Sequence, residues 1–311
     1  MISFVFSFKN EENNLEELIK RVDSSVKKLE NYNYELIFVN DDSDDNSEKI
    51  LENLQKSFPI TLINMSRTFG VGPCVLAGFS QAKGDCVIYM DSDLQDPPEL
   101  LNKLIKEYEN GADVVHTVRT ARLGETKIKL LLTKIAYKVI NYLSDINLPT
   151  EAGDFKLISK KALIKILEQK ETRPYIRGLS VWVGFKQAYV EYVRKPRHEG
   201  KTKFPIFSAG PISQFINGIT AYSLKPLYIG IILGMISIIF SILLILYALY
   251  MKLTNIAVPG TAGIIITISF FSGIILLTIG IIGIYIARIF EEVRGRDAYV
   301  IKNIKKSDDA V

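Results

Sequence analysis

The sequence predicts an α/β fold, a mostly parallel sheet covered on both faces by helices, followed by two helices long enough to cross a bilayer. Three observations carry this. Over the first 120 or so residues short apolar runs alternate with amphipathic stretches, the pattern of strands joined by crossover helices. Acidic residues stand directly after two of those runs, where open parallel sheets gather their ligands. Near the far end, residues of about 227–251 and 261–287 form two long uncharged apolar segments, each of transmembrane length.

Residues 2–8, 35–39, 61–65, 86–90 and 113–118 read as strands. Between the first two, Leu15, Leu18, Ile19, Val22, Val26 and Leu29 recur at helical spacing. Pro97-Pro98-Glu99 opens another helix with Leu100, Leu101, Leu104 and Ile105 as its apolar face, and Gly111 ends it. Residues 124–145 read as a helix in which Lys127, Lys129, Lys134 and Lys138 interleave with Leu and Ile. Gly153-Asp154-Phe155-Lys156 breaks that pattern, and residues 187–193 read as a further strand. A basic stretch follows at 194–203, then a moderately apolar one at 206–224, which predicts amphipathic helices at a membrane surface.

Composition narrows the class. The chain has 311 residues, 48% of them hydrophobic, with Ile, Leu and Gly concentrated in the last third. A formal net charge of +4 gives nucleic-acid binding no general electrostatic support. Cys74 and Cys86 show neither metal-pair spacing nor a disulfide framework. The chain opens on a strand-like run with no basic leader, so insertion is expected to be directed by the C-terminal segments.

As a helix of about 25 residues the first apolar segment would span roughly 37 Å, enough to cross with tilt. The loop between the segments carries one lysine, whereas Lys225 lies on one outer flank and Arg288, Arg294, Arg296, Lys302, Lys305 and Lys306 on the other. That asymmetry predicts both termini on the cytoplasmic side. Gly230 and Gly234, or Gly273, Gly280 and Gly283, offer small faces for helix packing.

The chemistry is concentrated in Asp91-Ser92-Asp93-Leu94-Gln95, directly after the apolar run Cys86-Val87-Ile88-Tyr89-Met90. Asp in a turn is commonly just solvated. Two carboxylates at the end of a buried strand, however, can converge on a hard divalent cation whose open positions take phosphate oxygens. Asn40-Asp41-Asp42 sits equivalently after another strand, so both clusters are expected to face one crevice.

In order, Asn10-Glu11-Glu12, Val39-Asn40-Asp41-Asp42-Ser43, Ser66-Arg67-Thr68-Phe69-Gly70, Asp91-Ser92-Asp93-Leu94-Gln95-Asp96-Pro97-Pro98-Glu99, Gly153-Asp154-Phe155-Lys156 and Gly200-Lys201-Thr202-Lys203-Phe204 resemble the family 2 glycosyltransferases. The branch most resembled is the polyprenyl-phosphate transferases, dolichol-phosphate mannose synthase and the GtrB-type bactoprenol glucosyltransferases. The resemblance covers nearly the whole chain and implies a GT-A, Rossmann-like nucleotide-sugar domain over 1–205. It further implies juxtamembrane amphipathic helices over 206–225, a transmembrane hairpin over 226–288 and a cytoplasmic tail over 289–311.

It also implies roles. Asp91, Asp93 and Gln95 would hold Mg2+ or Mn2+ on the donor diphosphate, and Ser92 would approach the nucleotide through its backbone. Asp41 would accept a hydrogen bond from the base with Val39 packed near it, while Ser7, Lys9 and Glu11 occupy the first nucleotide-contacting segment. Arg197 and Lys203 would close a basic loop over the diphosphate. Arg119, Arg122, Lys129 and Thr133 are the candidates for the lipid phosphate, and Asp154 would lie near the reacting sugar. Read from the residues alone, Arg119 and Arg122 could be surface charges, though their place at the sheet's carboxyl edge favours phosphate; Lys129 and Thr133 fit a solvated helix face at i,i+4 spacing almost as well; Asp154 could be a cap; and 194–203 could hug lipid, though its glycine and Lys-Thr-Lys-Phe ending argue for a phosphate loop. His116 reads as a packed strand residue, and His198 in the basic loop carries no separate signal.

The chain departs from the family pattern in places. Ser7 and Lys9 stand where the family has Pro and Tyr, Asp42 where it has Gly, and Lys156 where it has Arg, which loses a forked donor. Asp42 suits a turn with a left-handed excursion. No metal ligand is removed, so an active enzyme with an altered donor pocket is implied. The reaction implied is inverting transfer of one sugar, with UDP-glucose first among donors, then UDP-N-acetylglucosamine, other UDP-sugars and GDP-mannose. The acceptor implied is a polyprenyl phosphate, undecaprenyl or dolichyl, in the bacterial inner membrane if the source is bacterial, with tetramers allowed. A processive synthase would carry Gln-x-x-Arg-Trp, but the single tryptophan, Trp182, lies in Ser-Val-Trp-Val-Gly. A non-catalytic membrane scaffold with the same fold is the remaining alternative.

Overall fold

The computed structural model describes residues 1–29, 31–122, 127–149, 151–194, 216–254 and 260–307. They divide into two compact units. The first holds Met1–Tyr142, Ile146–Gly218 and the chain from Arg296 onward; the second holds Leu143–Asp145 and Ile219–Gly295.

The first unit is an eight-stranded sheet. Its strands are β1 (Ile2–Phe8), β2 (Tyr34–Asn40), β3 (Ile60–Met65), β4 (Cys86–Tyr89), β5 (Val114–Arg122), β6 (Ala152–Ser159), β7 (Gln187–Arg194) and β8 (Ile301–Lys306). Their order across the sheet is β7-β5-β6-β4-β1-β2-β3-β8. Strands β4, β1, β2 and β3 run parallel, so the ends of β1, β2 and β4 open on one edge. Strand β6 lies antiparallel between β4 and β5.

Alternation in β1 assigns its two faces. Phe4, Phe6 and Phe8 join one core cluster with Phe38 and the helix α1 (Leu15–Val26). Val5 joins the other with Ile37, Val39, Ile63 and α3 (Val71–Gln81). Each such side chain, withdrawn fully from water, stabilises the fold by about 1.5–3 kcal/mol before chain entropy is counted. Helix α3 lies so close to the sheet that a Cβ on Gly78 would come 2.4 Å from Val5 Cγ1. The remaining helices are α2 (Ser47–Leu54), α4 (Leu101–Glu109), α5 (Lys127–Leu143), α6 (Lys160–Glu168) and α7 (Ile176–Trp182). Pro98–Leu100 forms a 3-10 turn ahead of α4, and Gly111, at φ +86°, follows it as the sequence predicts.

Two predicted boundaries change. Residues 153–156, read as a break, lie inside β6. Residues 301–306, read as part of a tail, are a strand antiparallel to β3 at the sheet edge. The amphipathic stretch at 206–224 falls largely outside the described residues.

The second unit contains two helices, Lys225–Leu253 and Gly260–Arg294. Both are long and apolar enough to cross a membrane. Their Ile and Leu side chains, such as Ile231 at 59% and Leu276 at 69%, are mostly exposed. Contiguous apolar surface of that extent is unstable in water. Of the expected small faces, Gly230 is used: a Cβ there would meet Thr278 Cγ2 at 2.8 Å. Gly234, Gly273, Gly280 and Gly283 have nothing within 4 Å of that position. At the foot of the first helix the Lys225 amide donates to Ser223 Oγ at 3.0 Å, and Tyr285 Oη donates to the Ser223 carbonyl at 2.7 Å.

Candidate active site

The site is built where β1, β2 and β4 end. Tyr89, last residue of β4, is buried, and its hydroxyl donates to Asp91 Oδ1 at 3.1 Å. Ser7 Oγ lies 3.2 Å from the same hydroxyl. Burial, reinforced by the nearby Asp91 and Asp154 charges, pushes the Tyr89 phenol well up, so it remains a donor. Ser92 Oγ donates to the Ser7 carbonyl at 3.2 Å, which ties the acidic turn to β1. Asp93 Oδ1 accepts the Gln95 amide at 3.2 Å, and Leu94 between them takes a left-handed φ of 58°. Asp93 is buried and Asp91 half-buried.

These groups fit a divalent cation by their chemistry. Asp91, Asp93 and Gln95 supply only hard oxygen donors, the type preferred by Mg2+ and Mn2+. Among the described residues no three His, Cys, Asp or Glu side chains converge as a closed metal cage. An ion held there would complete its shell with phosphate oxygens and water, the usual arrangement for nucleotide-bound Mg2+.

At the end of β2, Asp41 accepts the Phe69 amide at 2.6 Å and the Gly70 amide at 3.0 Å. The carboxylate therefore anchors the loop leading into α3. Arg67 stacks over the Phe69 ring at 4.0 Å. Asp42 adopts φ 61°, a left-handed turn that Asp tolerates better than most residues. Lys9 Nζ donates to Thr68 Oγ1 at 2.6 Å, so this lysine ties β1 to the same loop. Glu11 is buried, and its carboxylate accepts from Asn14 Nδ2 at 2.7 Å beside the start of α1. Val39 is fully buried beneath α3, on the core side of the sheet.

A second charged group lies on β6, the neighbour of β4, where Lys156 pairs with Tyr89 in register. Arg177 of α7 grips Asp154 with a two-pronged bond: Nε to Oδ1 at 2.7 Å and Nη2 to Oδ2. Its Nη1 donates to Tyr137 Oη of α5 at 2.8 Å. Burial by itself would raise the Asp154 carboxyl, but the adjacent Arg177 reverses this and holds it well below the usual carboxylate range. Asp154 is thus an ion-pair partner on a strand and caps no helix. Lys156 is buried and donates to Ser180 Oγ at 3.1 Å. Burial lowers its pKa to about 8, with Arg177 acting in the same direction against Asp154.

Arg119 is buried. Its Nε donates to Tyr192 Oη at 3.0 Å and its Nη2 stands 3.8 Å from Asp96 Oδ2. It crosses Gly153, where a Cβ would come 2.9 Å from its Nη2. His116 is a packed strand residue as predicted, stacked on Tyr189, and burial drops its pKa to about 3. Arg197, His198 and Lys203 lie outside the described residues, as do the side chains of Arg122, Lys129 and Thr133. Sequence reasoning missed Tyr89 and Arg177. The signal for Tyr89 was a polar tip closing an otherwise apolar strand; Arg177 lies in no motif.

A carboxylate pair past a central parallel strand, a second acidic cluster past its neighbour and an antiparallel strand carrying Asp154 define a nucleotide-sugar transferase of the GT-A type. The chain belongs to glycosyl transferase family 2, whose pattern matches residues 3–167. An uncharacterized glycosyltransferase of Bacillus subtilis, YkcC, is 38% identical over 302 residues, covering 96% of this chain and 93% of that one. The prophage bactoprenol glucosyl transferase homolog of Escherichia coli is 34% identical over 310 residues, 98% of this chain and 99% of that one. The bactoprenol glucosyl transferase of Shigella phage SfV matches to the same extent, 34% over 310 residues. Among solved structures, glucosyl-3-phosphoglycerate synthase of Mycobacterium tuberculosis, crystallised with Mn2+, UDP-glucose and phosphoglyceric acid, aligns with 71% of this chain and 77% of that one, at 17% identity and a TM-score of 0.46.

Proposed function

We propose that this chain is a membrane-held, inverting glycosyltransferase that moves one glucose from UDP-glucose to a polyprenyl phosphate. The near full-length similarity to two bactoprenol glucosyl transferases supports the reaction. The observation that carries the choice of acceptor is that same similarity, and the Arg177–Asp154 pair agrees with it. A hydroxyl acceptor needs a general base with a pKa near neutrality. Asp154, held far below that range by a guanidinium, is a poor base. A phosphate acceptor is already an anion and needs positioning more than deprotonation.

Asp91, Asp93 and Gln95 would hold Mg2+ or Mn2+, which when bound supplies positive charge to the departing diphosphate. Ser7, Lys9, Glu11, Val39, Asp41 and Ser92 shape the nucleotide side, several of them by bracing the loop and turn that the nucleotide meets. Arg197 and Lys203 would close over the diphosphate. Arg122, Lys129 and Thr133 would meet the lipid phosphate; Arg119, expected to join them, is instead buried against Tyr192 and Asp96. The two long apolar helices anchor the chain in the bilayer. Strand β8, beyond the second helix, pairs with β3, before the first. Two crossings return the chain to its starting side, which the basic flanks make the cytoplasmic one.

The test is transfer by purified protein in nanodiscs given labelled UDP-glucose, undecaprenyl phosphate and Mg2+ or Mn2+. Labelled glycolipid is expected. Absence of product with UDP-glucose, UDP-N-acetylglucosamine and GDP-mannose alike would sink the reading.

A further inference from the structure

Arg177 stands outside every motif of the sequence, yet it joins three elements of the site. Its guanidinium grips Asp154 of β6 through two of its nitrogens and donates to Tyr137 of α5 through the third. Both charged side chains remain partly open, at 23% and 21% exposure. With His116, Tyr137, Lys156 and Tyr175, Arg177 lines a water-sized cavity of about 10 Å³. Tyr137 lies one helical turn beyond Thr133 and two beyond Lys129 on α5. Arg177 thus bridges the sugar-side carboxylate and the helix that carries the acceptor-side candidates. A planar fork is the only side chain that can hold both carboxylate oxygens and a third partner in one fixed geometry.

We propose that Arg177 is a positioning residue of the transfer reaction: it holds the Asp154 carboxylate in one orientation toward the reacting sugar and, through Tyr137, holds that carboxylate in register with α5. The proposal rests on the reading of this site as a sugar-transfer centre. It assigns Arg177 no contact with the nucleotide.

Transfer kinetics of the full chain in nanodiscs test it with Arg177→Lys, Arg177→Ala and Tyr137→Phe. Arg177→Lys keeps the charge and loses the fork. It is expected to lower kcat about a hundredfold, the scale of an ångström misplacement, with KM for the donor within about threefold. Added guanidinium is expected to restore at least tenfold of the activity lost in Arg177→Ala at concentrations that leave its melting temperature unchanged, which a merely structural role would not produce. Tyr137→Phe is expected to lower kcat severalfold. Wild-type kcat in Arg177→Lys, or loss of activity in Arg177→Ala that guanidinium does not rescue, would overturn the proposal. If the wild-type chain transfers no sugar, the functional reading has failed instead. A double-mutant cycle of Asp154→Asn and Arg177→Gln on thermal unfolding, which needs no substrate, then decides the pair: additive shifts overturn the linkage, and coupled shifts support it.

Discussion

Tyr89 and Asp91 are bound to each other across the end of β4, hydroxyl to carboxylate at 3.1 Å, with Ser7 Oγ 3.2 Å from the same hydroxyl. The last buried residue of the strand therefore orients the first residue of the acidic turn. Replacing Tyr89 by Phe keeps the ring and removes the donor. A hydrogen bond to a charged group is worth about 1.5–3 kcal/mol. Tyr89→Phe is accordingly expected to weaken Mn2+-dependent UDP binding by about tenfold or more, read by calorimetry on the folded protein. Unaltered affinity would show that Asp91 is oriented by something else.

Asp91→Asn removes one of the two charges proposed to face the cation. Transfer is expected to fall by at least about a thousandfold, the upper range for loss of one electrostatic contact at a transition state. Labelled glycolipid formed by purified Asp91→Asn at the wild-type rate would refute the assignment of this turn.

Lys156 makes stability depend on pH. Burial sets its folded pKa at about 8, below the ordinary lysine value of 10.5. Between those values the unfolded chain binds the extra proton, so stability rises as pH increases from about 8 toward 10.5. Below pH 8 both states are protonated, and the full penalty, on the order of 3 kcal/mol, is present. Lys156→Met removes this contribution. The wild-type melting temperature should therefore gain on that of Lys156→Met as the buffer moves from pH 7.5 to pH 10. Parallel curves would place the lysine in a wetter site.

Strand β8 is fastened by two contacts of different worth. Asn303 Oδ1 accepts from buried Asn64 Nδ2 at 2.9 Å. Lys305 Nζ pairs with Glu48 at 2.9 Å and with Glu52, all with side chains more than a third exposed. Asn303→Ala strands a buried N–H and should cost about 1–2 kcal/mol. Lys305→Ala should cost less than about 1 kcal/mol, as exposed pairs do. Side-by-side thermal unfolding checks the ranking, and a larger loss in Lys305→Ala would reverse it.

The parts that sequence revealed share one property: their signal is local. Strand β1 is a run of seven residues whose alternate Phe side chains need a covered face, and it was predicted to the residue. The acidic turn announces itself by standing directly after an apolar strand. Asp42, at a position where the family has glycine, takes the left-handed backbone that such a glycine would allow and that Asp tolerates. Strand β6 was not legible, because Asp154 and Lys156 interrupt its apolar pattern. Such charges enter a buried strand only when distant partners pair with or hydrogen-bond to them, here Arg177 with Asp154 and Ser180 with Lys156. Strand β8 was hidden by Ile-Lys-Asn-Ile-Lys-Lys, whose polarity suits an exposed sheet edge as well as it suits a tail.

Sequence by itself determined the α/β class, the four parallel strands that aim their ends at one edge, the acidic turn and the two bilayer-length helices. Each follows from periodicity or from residue chemistry within a few positions. Tertiary structure alone decided that Asp154 faces Arg177, that Arg119 turns inward to Asp96 and that the chain beyond the second long helix closes the sheet. Those outcomes depend on partners tens to hundreds of residues away, and a buried charge takes its position from whichever partner the fold delivers.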